Sequence, residues 1–408
     1  MLNWAKPFNT FCFLDNHDYS GSAHSLEWIL AAGVRRSLEA KAGNALEQLQ
    51  AFADQSPTWM FGHLGYDLKN ETESLQTEQP GGIHFPDLYF FEPLVIVRAE
   101  GEQLLIEASF PDQVYKEILE TPVQPPFPSH VSSVRSRFSK EEYCAVISKL
   151  REHIRRGDCY EINFCQEFYA ENAVIDPLDI YNRLSTVSPN PFSALYRFND
   201  QWLICASPER FLKKQGDHIL SQPIKGTLHR SPDDAVVDAA RKTALEQSDK
   251  DRSENVMVVD LVRNDLSRIC KEGSVQVDEL FGIYTFPQVY QMISTVSGTI
   301  EPGTSLTDIL RACFPMGSMT GAPKKRVMEL IGQYEITKRG IFSGALGYIS
   351  PEQDFDFNVV IRSILYNAST NYLSFPAGSG ITFYSEPEKE WEECLWKAAA
   401  IRKVLGAE

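Results

Sequence analysis

The sequence predicts an α/β (α+β) protein in which large, mostly antiparallel sheets are flanked by helices. Two observations lead to this class: short strand-like runs follow one another in the middle of the chain, and the last third alternates helices with strands. The chain has 408 residues, of which 43% are hydrophobic, an ordinary fraction for a folded protein. No repeat of fixed period stands out.

A proline-rich connection divides the sequence at residues 121–139, which contain four prolines and several serines. Such a composition predicts an exposed linker. Residues 1–120 are predicted to form a mixed α/β region with a β-hairpin that turns at residues 100–102. Residues 140–408 contain nearly all of the motifs that suggest chemistry, so we expect the functional region there.

Local signals place the elements that follow the connection. Ser139 and Glu142 form a capping-box pattern, and Asp176 before Pro177 marks a second helix start. Further predicted elements are strands over 194–198, 202–206, 210–213, 218–220, 344–349, 359–365 and 372–375, and helices over 253–263 and after Ser385. These elements together predict sheets with helices on their faces.

The charge and the residue types exclude several functions. The net charge of −16 argues against a nucleic-acid binder, because such proteins need a basic face for phosphates. No run of about 18 apolar residues and no signal peptide occurs, so we expect a cytoplasmic protein without a membrane anchor. The eight cysteines are scattered, as reduced core thiols are. No histidine follows His229, which excludes histidine-based metal or triad chemistry beyond it.

The first candidate site combines a lysine with a carboxylate. A turn centred on Gly216 predicts a hairpin that sets Lys225 opposite Ser207. Glu209 then lies diagonally across the two strands on the same face, about 7–8 Å away. A lysine beside a carboxylate is either a nucleophile that burial keeps partly neutral or one half of a surface ion pair, and the spacing leaves both readings open.

Two helical pairs of acidic residues form the second candidate site. Asp251 and Glu254 are three residues apart on one predicted helix, and Glu390 and Glu393 are three apart on the last one. Carboxylates without a nearby histidine suit a hard cation such as Mg²⁺, which prefers oxygen ligands. The alternative is a solvated acidic first turn in which Glu393 pairs with Lys397.

Glycine-rich segments form the third candidate site, because free N–H groups at a turn or a helix start can hold an anion. Gly317–Pro323 leads into a helix, and residues 378–380 follow a strand. Neither segment matches a Walker or dinucleotide-binding pattern, and ordinary turns are the alternative. Tyr348 and Arg362, each on a predicted strand, are candidates for contacts to a carboxylate.

A series of motifs runs through the second part of the chain, over roughly residues 135–405. The motifs are GDCYEIN (157–163), SPERFL (207–212), PIKGT (223–227), SENVMVVDLVRNDL (253–266), FPMGSMTGAPK (314–324), GALGY (344–348), GSGI (378–381) and EWEE (390–393). In this order they resemble component I of the chorismate-amination enzymes, the family of aminodeoxychorismate synthase and anthranilate synthase. The N-terminal region matches weakly, at residues 65–67. The resemblance implies the fold of the chorismate-binding enzymes.

The resemblance also implies a definite chemistry. Lys225 stands where aminodeoxychorismate synthases have lysine and anthranilate synthases have alanine, which implies amination of chorismate at C4 to 4-amino-4-deoxychorismate for p-aminobenzoate and folate synthesis. Lys225 would add covalently at C2 with Glu209 as general acid. The implied Mg²⁺ ligands are Glu254 and Glu393, with Asp251 and Glu390 nearby. The implied substrate contacts are Thr320, Tyr348, Arg362, Gly378, Ser379 and Gly380.

Two positions depart from the family's pattern and bear on the alternatives. Gln291 replaces a histidine that helps to eliminate pyruvate in many relatives, which disfavours anthranilate synthase component I, the first alternative. Glu161 stands where many amination enzymes have glutamine and isochorismate synthases have lysine, so isochorismate synthase is a weaker alternative and the role of Glu161 stays open. A non-catalytic chorismate-binding subunit would be expected to lack Lys225 or a metal carboxylate, and these are present.

The source of ammonia is expected to be a second protein. No cysteine of this chain lies in a glycine-flanked nucleophile elbow of the kind that a glutaminase needs. The sequence therefore predicts that chorismate binds this chain and that a separate glutamine amidotransferase subunit supplies ammonia.

Overall fold

The computed structural model of the protein describes residues 1–19, 26–76 and 79–407. Its strands are β1 (Thr10–Asp15), β2 (Trp28–Ala40), β3 (Met60–Leu64), β4 (Leu88–Glu100), β5 (Gln103–Glu107), β6 (Arg135–Ser136), β7 (Glu161–Ala170), β8 (Phe192–Phe198), β9 (Gln201–Ser207), β10 (Arg210–Gln215), β11 (His218–Gln222), β12 (Ile224–His229), β13 (Gln276–Thr285), β14 (Val289–Thr299), β15 (Gly321–Ala322), β16 (Ala345–Ile349), β17 (Phe355–Val359), β18 (Ser363–Asn367) and β19 (Tyr372–Ile381). Its α-helices are α1 (Leu2–Ala5), α2 (Ala45–Ala53), α3 (Lys69–Thr72), α4 (Pro111–Glu120), α5 (Lys140–Arg155), α6 (Pro177–Val187), α7 (Ala235–Glu246), α8 (Asp249–Ser267), α9 (Leu306–Cys313), α10 (Lys324–Tyr334) and α11 (Pro387–Leu405).

Antiparallel pairing joins the strands into one long ladder with two arms. From β4, one arm runs through β3, β16, β17, β10 and β11 to β14, which also pairs with β12 and β13. The other arm runs from β4 through β2, β1, β8, β9, β18 and β19 to β7. Large antiparallel sheets with flanking helices are thus present, and the predicted fold class is confirmed.

The N-terminal strands form the middle of this ladder. Strand β1 pairs with β2 on one edge and with β8 on the other, and β3 lies between β4 and β16. Residues 1–120 therefore share their sheets with residues 140–408, so the connection at 121–139 does not separate two independent sheets. Prolines and serines indicate only where regular structure is interrupted locally. They carry no information about which distant strands pair with one another.

The buried apolar side chains fall into two large clusters. One contains residues of α2, α8 and α9 with those of β3, β4 and β17, and the other contains residues of α5, α6, α10 and α11 with those of β7, β9 and β19. In α5, Tyr143, Ile147 and Leu150 recur at helical spacing and are fully buried. This apolar face holds the helix against the second cluster.

The local sequence signals for the starts of two helices are confirmed, whereas one predicted strand is wrong. Ser139 and Glu142 form the capping box that begins α5, and Asp176 caps α6. The single strand predicted over 359–365 is wrong: it is divided into β17 and β18. The reason is Arg362, whose φ of 52° is left-handed and interrupts extended backbone.

The helices and the cysteines of the structure bear on the expected cellular environment of the protein. Within residues 1–19, 26–76 and 79–407, no helix combines the length and the apolar character needed to cross a membrane. All eight cysteines are free thiols, and Cys144 alone among them is not buried. The scattered cysteines are therefore packed as individual side chains.

The buried face of α5 yields a stability prediction. Leu150→Ala removes a fully buried side chain and is expected to lower the free energy of unfolding by about 2–5 kcal/mol, because the cavity left behind adds to the lost transfer energy. Glu152→Ala, on the exposed face of the same helix, is the matched control and should change it by less than about 0.5 kcal/mol. Urea unfolding measures both, and equal effects would contradict the assigned face.

Candidate active site

A cavity of about 790 Å³ lies where the two arms of the strand ladder end. Strand β12 of one arm and strands β7 and β19 of the other contribute to its walls, together with α8 and α11. Its lining includes members of all three candidate sites predicted from sequence: Glu209, Lys225, Asp251, Glu254, Arg362, Gly378, Gly380 and Glu393. The structure therefore brings together groups that are up to 184 positions apart in sequence, from Glu209 to Glu393.

Lys225 is held in the cavity by a carboxylate to which the sequence assigned no role. Its Nζ donates a hydrogen bond to Oε1 of Glu161 on β7. The two side chains are only 10% and 2% exposed. Burial lowers the pKa of Lys225, but the charges of Glu161 and Glu254 outweigh burial and raise that pKa above its usual value. Lys225 is therefore an ammonium ion in this arrangement.

The close approach of β12 to β19 requires a position without a side chain. A Cβ atom at Gly380 would lie 2.7 Å from both Nζ of Lys225 and Oε1 of Glu161. The next residue but one, Gly378, also lines the cavity, whereas Ser379 points to the opposite face and donates to Oε2 of Glu390 at 2.6 Å. The predicted loop cradle at residues 378–380 is thus wrong in form, because β19 continues through Ile381 and alternation divides the three residues between two faces.

Glu209 lies between β9 and β10 and is 4% exposed. Burial raises the pKa of this carboxyl to about 7, against the opposing effects of Ser318 and Lys225. Such a group is partly protonated near neutral pH, which suits a general acid. The β10–β11 ladder has Arg210 opposite Gln222, with a bulge between Arg210 and Lys213. The predicted pairing of Lys225 with Ser207 is not formed, because β12 pairs with β14 while β9 pairs with β8 and β18. Glu209 and Lys225 nevertheless line the same cavity.

The two acidic helix turns meet beside Lys250. The Nζ of Lys250 lies 3.8 Å from Oε1 of Glu254 on α8 and 3.9 Å from Oε1 of Glu390 on α11. Burial raises the pKa of Glu254 to about 7. Glu393 pairs with Lys397 at 2.8 Å, as the alternative reading of the sequence proposed. Of the four predicted metal carboxylates, Asp251, Glu254 and Glu393 line the cavity, while Glu390 is turned to Ser379.

The carboxylate oxygens of these two helix turns could supply some of the ligands of a hard cation. Oε1 of Glu254 is buried and accepts no hydrogen bond. Across the described ranges of the chain, no three histidine, cysteine or acidic side chains stand close enough to hold a metal ion by themselves. Mg²⁺, however, usually takes only one or two carboxylates from a protein and completes its shell with water and substrate. Glu254 and Glu393, facing one cavity, fit that pattern.

Arg362 enters the cavity at the break between β17 and β18. Its charge faces those of Glu393 and Glu209, and its guanidinium lies 5.6 Å from the ring centroid of Trp396. Burial lowers the pKa of Arg362, although a guanidinium stays charged at any ordinary pH. The same backbone bend that ends the strand thus presents a planar cation to the cavity, in a form suited to a carboxylate ligand.

Comparison with known proteins agrees with this geometry. The model of the family described as chorismate binding enzyme matches residues 9–403. The chain belongs to this family of chorismate-binding enzymes. Aminodeoxychorismate synthase component 1 of Klebsiella aerogenes is 36% identical over 350 residues, which cover 84% of this chain and 76% of that protein. The protein of the same name from Escherichia coli is 34% identical over 348 residues, with coverages of 84% and 76%.

A solved structure shows the same fold. Anthranilate synthase component I from Streptococcus pneumoniae TIGR4 superposes with a TM-score of 0.80 at 25% sequence identity and covers 95% of this chain and 95% of that chain. The resemblance inferred from the motifs and the fold it implies are therefore confirmed, and the chain is an enzyme of the chorismate-binding family.

Two predicted substrate contacts of this chorismate-binding enzyme lie outside the cavity. Thr320 is fully buried, and its hydroxyl donates to the carbonyl oxygen of Met316 at 3.1 Å. Tyr348 packs on Trp59, with ring centroids 5.4 Å apart, and lines a separate depression. The structure does not bring either side chain to the cavity: the Thr320 hydroxyl donates within its own turn, and β16, which carries Tyr348, lies inside one arm of the ladder rather than at its end.

Several residues of the cavity were missed by the sequence argument. Gln291, which the sequence marks only as a departure from the family, is 1% exposed, lines the cavity and leaves Oε1 without a hydrogen-bond partner. Phe342 precedes the GALGY motif by two residues, and His229 follows the PIKGT motif by two. Closeness to these motifs was the available signal. Other polar lining residues to which the sequence argument gave no role include Asn163, Arg230, Arg241, Lys250, Ser318 and Trp396.

Gly380 supplies a direct test of the packing at the site. Gly380→Ala places a methyl group against Nζ of Lys225 and is expected to lower the free energy of unfolding by about 1–3 kcal/mol. In a Lys225→Ala background the same change should cost at least about 0.5 kcal/mol less, because the amine it meets is absent. Urea unfolding of the four proteins of this double-mutant cycle measures the coupling. Additive effects would contradict the contact.

Burial of Glu209 predicts a pH-dependent stability. Its pKa is about 7 in the folded protein against 4.5 for an exposed carboxyl, so the folded state binds this proton more tightly and loses the corresponding stability as pH rises through 7. Glu209→Gln removes this loss. The unfolding free energy of the variant minus that of the wild type should therefore increase by about 3 kcal/mol from pH 4.5 to pH 8. A difference that stays constant with pH would refute the burial argument, and the exposed Glu152→Gln serves as control.

Proposed function

We propose that this enzyme is the chorismate-aminating component of an aminodeoxychorismate synthase, which converts chorismate and ammonia into 4-amino-4-deoxychorismate and water. The observation that carries the proposal is the buried Lys225, which shares one cavity with Glu209 and with the carboxylates of α8 and α11. The names of relatives with 34–36% identity support the same reaction.

Substrate recognition requires cations that are not neutralised by direct partners. Chorismate carries two carboxylates, and Arg362 offers its guanidinium in the same cavity as Lys225. Lys397 reaches the carbonyl oxygen of Gly378 at 2.9 Å as well as Glu393, so it closes the cavity on the α11 side. Arg241 adds a further positive charge to the lining. Arg362 and Arg241 are thus the cations that would orient a dianion over Lys225.

Lys225 acts as a nucleophile in the first displacement. Its neutral amine forms a bond to C2 of chorismate, the ring double bond shifts, and the bond between C4 and its hydroxyl oxygen breaks. Glu209 donates its proton to that oxygen, which leaves as water. A raised carboxyl pKa serves this step, because a group that ionises at pH 4 would hold no proton to give.

Ammonia completes the reaction in a second displacement. Its nitrogen bonds to C4, the double bond shifts back, and the bond between C2 and Nζ of Lys225 breaks. The ionised Glu209 then accepts a proton from the new ammonium group, which restores both residues. Two displacements by positioned nucleophiles thus replace one difficult direct substitution at C4.

Glu254 and Glu393 would hold Mg²⁺, with Asp251 at the same wall of the cavity. When bound, Mg²⁺ would neutralise a ring carboxylate of the substrate and draw electron density from the ring. The buried Oε1 of Glu254, which has no hydrogen-bond partner, supports this assignment. Lys250 lies within 4 Å of Glu254 and supplies positive charge to the same carboxylate.

The proposal includes a partner and a cellular setting. We propose a separate glutamine amidotransferase subunit as the source of ammonia, which agrees with the designation of the relatives as component 1. The product would serve p-aminobenzoate and folate synthesis. The eight free thiols favour a cytoplasmic protein, where cysteines stay reduced.

Removal of the lysine amine tests the reaction. Lys225→Ala is expected to reduce amination by at least about 1000-fold, because the covalent route is lost. The assay combines chorismate, Mg²⁺ and an ammonium salt, and mass spectrometry identifies a product that keeps the enolpyruvyl group and gains an amine. Lys242→Ala on the exposed face of α7 is the control. Unchanged amination by Lys225→Ala, or formation of anthranilate with pyruvate by the wild type, would refute the proposal.

A further inference from the structure

One charged side chain at the site has no task in the reaction described above. Glu161 is 2% exposed, and its Oε1 accepts a hydrogen bond from Nζ of Lys225. Its Oε2 is buried and has no hydrogen-bond partner. A buried carboxylate oxygen without a partner is unfavourable. Because this oxygen belongs to the carboxylate that contacts a reacting nitrogen, it calls for a chemical explanation.

We propose that Glu161 is the base that removes a proton from Lys225 before the lysine attacks the substrate and returns it when the lysine is expelled. The inference rests on the covalent role proposed for Lys225. Glu161 touches the reacting nitrogen, so it is assigned here as a catalytic residue.

Lys225 needs such a base because an ammonium nitrogen has no free electron pair with which to attack carbon. The charges that face Lys225 come from Glu161 on β7, Glu254 on α8, Glu209 between β9 and β10, and Glu393 on α11. Together they favour the protonated form, and the side chain is only 10% exposed, so water has limited access to it. The surroundings that keep Lys225 protonated must therefore also provide a group that accepts its proton.

Among these carboxylates, Glu161 is the one placed to accept the proton. Within the described residues, Glu161 is the carboxylate to which Nζ of Lys225 donates a hydrogen bond. Glu209 is committed to the leaving group, because a carboxyl that delivers a proton to the C4 oxygen cannot take one up in the same step. The bare backbone at Gly380 leaves the space between Nζ and Oε1 free for the transfer.

The surrounding strands fix the position of Glu161 for this role. Its backbone lies at the start of β7, where Ala322 pairs with it on one side, and the amide of the preceding Tyr160 donates to the carbonyl oxygen of Ala322 at 2.8 Å. On the other side β19 pairs with β7 through Ile381. Such two-sided anchoring holds a base at a defined distance from the nitrogen it serves.

Protons and electrons balance over the cycle. The N–H bond of the Lys225 ammonium breaks, its proton passes to Glu161, and the electron pair left on nitrogen forms the bond to C2. When ammonia displaces the lysine, that pair returns to Nζ with the broken C2–N bond, and Glu161 gives the proton back. No oxidant or further reactant is needed, and Glu209 carries its own proton separately to water.

Formation of the covalent adduct without ammonia tests the inference. Glu161→Gln keeps the size of the side chain and its hydrogen-bonding oxygen but cannot take up a proton. The adduct of Lys225 with chorismate less water should form about 10- to 100-fold more slowly at pH 7, and the deficit should shrink as pH rises toward 10 and hydroxide replaces the base. Rapid quenching followed by intact-protein mass spectrometry measures the rate.

Two further variants make the result unambiguous. Glu161→Asp keeps an acid one methylene further back and should slow adduct formation with the pH dependence of the wild type, so it decides the question even where Glu161→Gln does not fold. Glu92→Gln removes a buried carboxylate that pairs with the partly exposed Arg36, away from the cavity, and should leave the rate unchanged.

The outcomes separate the inference from the proposed function. An adduct that forms at the wild-type rate in both Glu161 variants at pH 7 overturns the role of Glu161 and leaves the covalent mechanism standing. Amination by the wild type without any adduct at Lys225 overturns both. The inference is supported if Glu161→Gln forms the adduct slowly at pH 7 and recovers at alkaline pH, while Glu92→Gln forms it at the wild-type rate.

Discussion

The contact between Lys225 and Glu161 joins the two ends of the strand ladder, and the site exists because those ends meet. Strand β12, at the end of one arm, carries the lysine, and β7, at the end of the other, carries the glutamate. Gly380 allows the approach, since any side chain there would occupy the same space. The arms are linked through the N-terminal strands in the middle, so the position of this one ion pair depends on the whole sheet system.

Burial of many charges in one cavity explains the different proton affinities found there. Single charges would be costly in such a space, and opposite charges offset that cost only where they meet directly. Lys225 has a direct partner and stays protonated, with a raised pKa. Glu209 and Glu254 are less directly paired, so burial dominates and raises the pKa of each to about 7. The same buried cavity therefore holds a protonated lysine beside carboxyl groups that can bind and release protons near neutral pH.

Sequence reasoning was accurate where a signal acts over a few residues. The cap of α5 at Ser139 and the buried stripe of that helix follow from side-chain type and helical spacing. It failed where the outcome depends on a distant strand: residues 378–380 lie within β19 rather than in a loop, and Tyr348 is inside an arm of the ladder. Glu161 was noticed as an unusual residue, but nothing local indicates that it touches Lys225, 64 residues away.

The sequence by itself determined the fold class, the family and the chemical types at the site: a lysine, acidic helix turns and a glycine-rich segment. Only the tertiary structure decided which of these groups meet, that Glu161 and not Glu209 holds Lys225, and that Thr320 uses its hydroxyl within its own turn. The physical reason is that caps and periodicity are short-range effects, whereas burial, ion pairing and the resulting pKa values depend on strands brought together from across the chain.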